Sequence, residues 1–160
     1  MADFSAMNTI AEMNPSAVKV VGIFCNQFGF QTNESPQESL KILTEVRPGN
    51  GFIPKMDLYA KVNVNGALAD PLFKWMRSTI KIPMDPPGDT KGNGCDDVDA
   101  LITPRGAFDA VTLAAWSPVS RSDIAWNFEK FLFDKSGNLV KRYSRYYPTD
   151  AIKADIAKLI

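Results

Sequence analysis

Histidine is absent from the 160 residues, and cysteine occurs only at Cys25 and Cys95. Without an imidazole no His-dependent catalytic triad is available. Two thiols seventy positions apart supply neither a zinc ligand set nor a disulfide framework. An excess of one charge is missing too, since eighteen basic and eighteen acidic residues cancel. No global field then draws the chain to nucleic acid or to an anionic membrane, and any anion site has to be local. No apolar run reaches the eighteen residues expected of a membrane-spanning helix, and no charged-then-apolar leader follows Met1. Together these absences predict no bound metal, no nucleic-acid or membrane partner, and a reducing, cytoplasmic compartment.

What is present suits one globular domain over residues 1–160. With 45% hydrophobic and 22% charged residues, a chain of this length buries roughly two-thirds of its unfolded surface. Phe4, Met7, Ile10 and Ala11 recur at helical spacing, so residues 3–13 read as a helix stopped by Asn14-Pro15. Val18 to Phe24 is a continuous β-rich run, which predicts a strand covered on both faces. Helix followed by buried strand is half of a βαβ unit, and the strand that should feed the helix is expected upstream of Met1. Ser35-Pro36-Gln37-Glu38 combines an N-cap, a proline at the first helical position and a capping-box acid, predicting a helix over 36–46. A short strand is expected over Leu58–Val64, closed by Asn65-Gly66, and a helix from Asp70-Pro71 to about Thr79. Residues 80–120 read as a long loop. Ala125–Phe133 and Leu139–Tyr147 form an expected hairpin, and Ile152, Ile156 and Leu159 stripe a last helix.

Two segments carry the chemistry. Phe24-Cys25-Asn26-Gln27-Phe28-Gly29-Phe30-Gln31 and Trp126-Asn127-Phe128-Glu129-Lys130-Phe131 each set neutral hydrogen-bond donors beyond an apolar run. Amides at Gln31 and Asn127 and an indole N–H at Trp126 suit an anion. Sites in open α/β sheets form beyond strand ends, so the two segments are expected to converge.

These motifs resemble the glutathione peroxidase family, and the likeness extends from Asp3-Phe4-Ser5 to the terminal helix. It implies a thioredoxin-like α/β fold, here lacking its first strand. It also implies reduction of hydrogen peroxide or organic hydroperoxides by two glutathiones, with no metal or organic cofactor. Gln31, Trp126 and Asn127 would complete a tetrad with a selenocysteine or cysteine expected a few positions before Met1. Their task would be to favour the anionic nucleophile and hold peroxide in line. Cys25 lies at a buried strand end with no nearby cation, so it reads as a packed thiol whose pKa stays ordinary or rises. Cys95 reads as an incidental loop thiol.

Glutathione carries two carboxylates, and the resemblance points to Arg47, Arg142 and Arg145 as its docking groups. Strand alternation puts Lys141, Tyr143 and Arg145 on one face and Arg142 on the other. Two departures from the family are Ala2, where cellular members have arginine, and Ile23-Phe24 before Cys25, where most have Phe-Pro. The Arg47–Phe52 loop and the 80–120 segment resemble the elements by which cellular members form tetramers, so a homotetramer is expected. Asp89–Ala100 mimics a calcium loop but fails at Lys91 and Ala100. Asn33-Glu34-Ser35 fits a glycosylation sequon. The rival reading is a non-catalytic isoform of the same fold, acting as a binding or regulatory subunit.

Overall fold

Ser35 starts a helix as its chemistry predicts. In the computed structural model, which describes residues 2–85 and 115–160, its hydroxyl accepts from the Glu38 N–H while the Glu38 carboxylate accepts from the Ser35 N–H. This capping box opens α2 (Pro36–Glu45). The described residues sort into two compact units of discontinuous segments: residues 2–24, 32–61 and 148–160 form the first, and residues 25–31, 62–85 and 115–147 the second.

The first unit holds α1 (Ala2–Met13), β1 (Val21–Ile23), α2 and β2 (Asp57–Tyr59). β1 and β2 pair in parallel, Gly22 opposite Leu58, with α2 as the crossover between them. The strand predicted from the Val18–Phe24 run is shorter than its apolar sequence, and Val21 is about half exposed. The pairing matches this: among the described residues β1 has β2 as its one neighbour. The strand expected over Leu58–Val64 contracts to β2 in the same way. Asn8 on α1 clasps the approach to β2, its amide donating to Ile53 O at 2.8 Å and accepting from Lys55 N at 2.8 Å. The chain then closes with a 3-10 turn (Thr149–Ile152) and α4 (Lys153–Ile156), tied to α1 where Thr149 donates to Asp3 at 2.6 Å. Ile10, Leu43, Met56, Ile152 and Ile156 are its buried apolar side chains.

The second unit contains α3 (Pro71–Thr79), capped by the Asp70 carboxylate, and the antiparallel pair β3 (Lys130–Phe133) and β4 (Leu139–Tyr143). Phe73 of α3 meets Phe131 of β3 edge-on with ring centroids 6.4 Å apart, and Trp75 stacks on Phe133 at 6.0 Å. The hairpin turn is organised by Asp134, whose carboxylate accepts from Ser136 N, Asn138 N and the Asn138 amide. Those bonds hold its pKa below the ordinary carboxylate range. The predicted first strand of the hairpin is corrected here: it begins at Lys130, and Trp126 and Asn127 lie in the turn before it. Phe128, with φ 63°, interrupts the extended backbone that a strand from Ala125 requires. Cys95, the acidic run and the calcium-like loop lie outside the described residues, as does most of the 80–120 segment.

Candidate active site

Beyond β1 the chain reaches Cys25, whose side chain is buried. Its Sγ accepts from Gln27 N at 3.4 Å and its S–H donates to Gln27 Oε1 at 3.7 Å. Burial pushes the thiol pKa up, the backbone bonds offsetting only part of the effect. A protonated, packed thiol is what the sequence implied, and it is no nucleophile. Phe28 follows, 2% exposed and wedged against Trp116 and Trp126 with ring centroids 5.5 and 5.6 Å away. Gly29 (φ 63°) and Phe30 (φ 52°) then turn through left-handed backbone and deliver Gln31 to the surface.

From the other side, the turn ahead of β3 presents Trp126 and Asn127. The Asn127 amide donates to Gln31 Oε1 at 3.2 Å, so the two motifs meet. Trp126 adjoins Asn127 and shares Phe28 with the Gln31 loop. Among the described residues the Gln31 amide N–H groups and the Trp126 indole N–H donate to no protein acceptor. The Arg145 guanidinium lies 5.7 Å from the Trp126 ring and 4.3 Å from the Tyr146 ring, and donates to the Tyr146 hydroxyl. It brings a cation to this edge of the trio.

The other two arginines are placed differently. Arg47 is exposed just beyond α2, in the first unit. Arg142 is fully buried: its Nε donates to Glu129 Oε2 at 2.7 Å, Nη1 to Ile80, Lys81 and Ser122 carbonyls, and Nη2 to Asp123 O. A guanidinium with no exposed surface and every nitrogen engaged has nothing to offer a glutathione carboxylate. The docking role expected of Arg142 is therefore corrected to an interior one. Lys141 and Tyr143 do share a face, with the ammonium 4.9 Å from the ring, while Arg142 lies over Phe131 of the partner strand.

Several supporting residues were not anticipated from sequence. Glu129 Oε1 accepts from Ala125 N at 2.6 Å, bracketing Trp126 and Asn127 between its two ends. Asp123 is ion-paired to Arg77 and accepts from Trp116 Nε1 at 2.9 Å and Ser120 N at 2.8 Å. Burial pushes the Arg77 guanidinium pKa down, with Asp123 opposing. The signal available in sequence was Glu129 inside the second motif. The other members come from distant segments. Among the described residues no group of His, Cys, Asp or Glu could hold a metal ion, and no helix is long and apolar enough to cross a membrane.

Comparison with known proteins matches residues 1–77 to the glutathione peroxidase family. Glutathione peroxidase 1 of Macaca fuscata fuscata is 42% identical over 99% of this chain, and that of Mus musculus 41% over 99%; in each case the match covers 71% of the relative. Among solved structures, the apo crystal structure of Trgpx superimposes with a TM-score of 0.51 at 22% identity, over 98% of this chain and 69% of that one.

Proposed function

The chain belongs to the glutathione peroxidase family, with its thioredoxin-like α/β fold, and from that premise we propose that the protein reduces hydrogen peroxide or organic hydroperoxides with glutathione. The observation that carries this reading is the contact between Asn127 and Gln31, which joins the two motifs beside Trp126. The nucleophile we assign is a selenocysteine or cysteine preceding Met1, with no metal or organic cofactor. It supplies an anion that attacks one peroxide oxygen as the O–O bond breaks; the leaving oxygen takes a proton and departs as water or alcohol.

The residues of this chain hold that anion. The Trp126 indole N–H and the Gln31 amide N–H groups favour the charged nucleophile over its protonated form and lower its pKa. Neutral donors do this without forming an ion pair that would quench nucleophilicity. Asn127 fixes the Gln31 amide by donating to its oxygen, which leaves the amide nitrogen to donate to the anion. Arg145, beside the Trp126 ring, is the candidate docking group for a glutathione carboxylate.

The test begins with the transcript upstream of Met1, read in frame for a UGA or cysteine codon, and continues with the full translated protein in a glutathione-reductase-coupled assay. Turnover that falls in Trp126→Phe and Gln31→Ala supports the reading. A stop codon that closes the frame, together with no turnover, would sink it and favour a binding or regulatory subunit.

A further inference from the structure

The site halves are joined by more than the exposed contact at their tips. Gln27, 5% exposed, turns its side-chain amide onto the backbone of the Asn65 turn: Oε1 accepts from Val64 N at 2.7 Å and Asn65 N at 2.9 Å, and Nε2 donates to Asn65 O at 3.1 Å. Asn65, 1% exposed, turns its own amide onto Ile124: Oδ1 accepts from Ile124 N at 2.9 Å and Nδ2 donates to Ile124 O at 2.8 Å. Each amide thus does for its partner residue what a paired strand would do, satisfying a donor and an acceptor of the same residue. Gln27 stands four positions before Gln31, and Ile124 two positions before Trp126.

We propose that Gln27 and Asn65 form a buried two-amide relay that sets the separation of Gln31 from Trp126 and Asn127, and are positioning residues for the peroxidase reaction. The chemical part of this rests on the function proposed above, while the geometric part stands by itself. At neutral pH an asparagine or glutamine suits both places, because its side-chain amide presents a donor and an acceptor side by side while an ionised carboxylate only accepts. A misplacement near 1 Å in such a constellation lowers the reaction rate by up to about a hundredfold. Buried, the four bonds to Ile124 and Asn65 are also shielded from competing water.

The experiment uses the full translated protein, labelled for heteronuclear NMR, and follows the side-chain signals of Gln31, Trp126 and Asn127. Asn65→Ala deletes both bonds to Ile124 and should displace all three signals. Phe73→Leu, a core change in the same unit chosen to lower Tm comparably, should leave them in place. Gln27→Glu is the isosteric variant: its carboxylate accepts as before but loses the bond to Asn65 O. Its signals should shift at neutral pH and return as the acid is protonated at lower pH, a reversal that lost packing would not produce. In the coupled assay kcat should fall on the order of tenfold or more with KM for glutathione unchanged. Signals that stay put in Gln27→Glu, or that move equally in Phe73→Leu, would overturn the relay. An unaltered protein without turnover would overturn the proposed function, with the NMR signals still deciding the relay.

Discussion

Asn127 donates to Gln31 across 96 positions of sequence, and each partner adjoins a phenylalanine in left-handed backbone: Phe30 (φ 52°) precedes Gln31 and Phe128 (φ 63°) follows Asn127. Positive φ at a β-carbon-bearing residue is costly and concentrates at functional sites. Here the two turns aim polar side chains at one another from segments far apart in sequence.

Asn127→Ala separates function from stability. The bond it removes is exposed, so unfolding free energy should change by about 0.5 kcal/mol or less. Hydroperoxide kcat/KM should fall roughly a hundredfold, as expected when a group organising an anion site is lost. Thermal denaturation beside steady-state kinetics checks both parts.

Arg142→Met should act through folding. It strands the Glu129 carboxylate, of which 1% is exposed, and loss of one partner from such a buried pair costs about 3–5 kcal/mol. Arg142→Lys should recover little, because an ammonium cannot reach Glu129 and four carbonyls together. Urea titration gives the magnitude; a stable variant with a raised KM for glutathione would contradict the interior role.

The Cys25 thiol should be slow to react and should weaken the fold at alkaline pH. Its folded pKa is raised by burial, so the native state keeps a proton that the unfolded chain releases. The sign is then a stability fully present below the unfolded thiol pKa and lost as pH rises toward the folded one. In a Cys95→Ser background, iodoacetamide labelling should be slower than for a free thiol. Cys25→Ala should flatten the alkaline fall in Tm relative to the parent.

Gly66→Ala should be destabilising by about 1–3 kcal/mol. Gly66 has φ 77°, and an added Cβ would lie 2.9 Å from Trp116 Cβ and 3.0 Å from Ser117 O. The turn after Asn65 therefore has no room to relax. Denaturant unfolding measures the loss, and because Asn65 is next in sequence, the Asn127 and Trp126 signals should move as well.

What could be read from sequence was what local chemistry decides. The Ser35–Glu38 box, Asp70-Pro71 and the periodicity of the first helix depend on neighbours within a turn or two, and each element lies where its signal put it. The family motifs brought Gln31 to Asn127 as expected. Strand lengths were less legible, because an apolar run such as Val18–Phe24 does not state how many neighbours will pair with it. Arg142 was misread because strand alternation gives a side chain's face but not which face is interior. Gln27 and Asn65 carried no local signature at all: their bonds span 37 to 59 positions, and the Asn-Gly pair reads equally well as an ordinary turn.

Arg77, Asp123, Glu129 and Arg142 make two buried ion pairs, and Arg77 senses the other three charges. Their formal charges sum to zero, so replacing any single member leaves an unbalanced ion in the interior. Such residues cannot drift one at a time. Across related sequences positions 77, 123, 129 and 142 should behave as one inherited character, held as a complete set or exchanged together, while their surface neighbours vary freely.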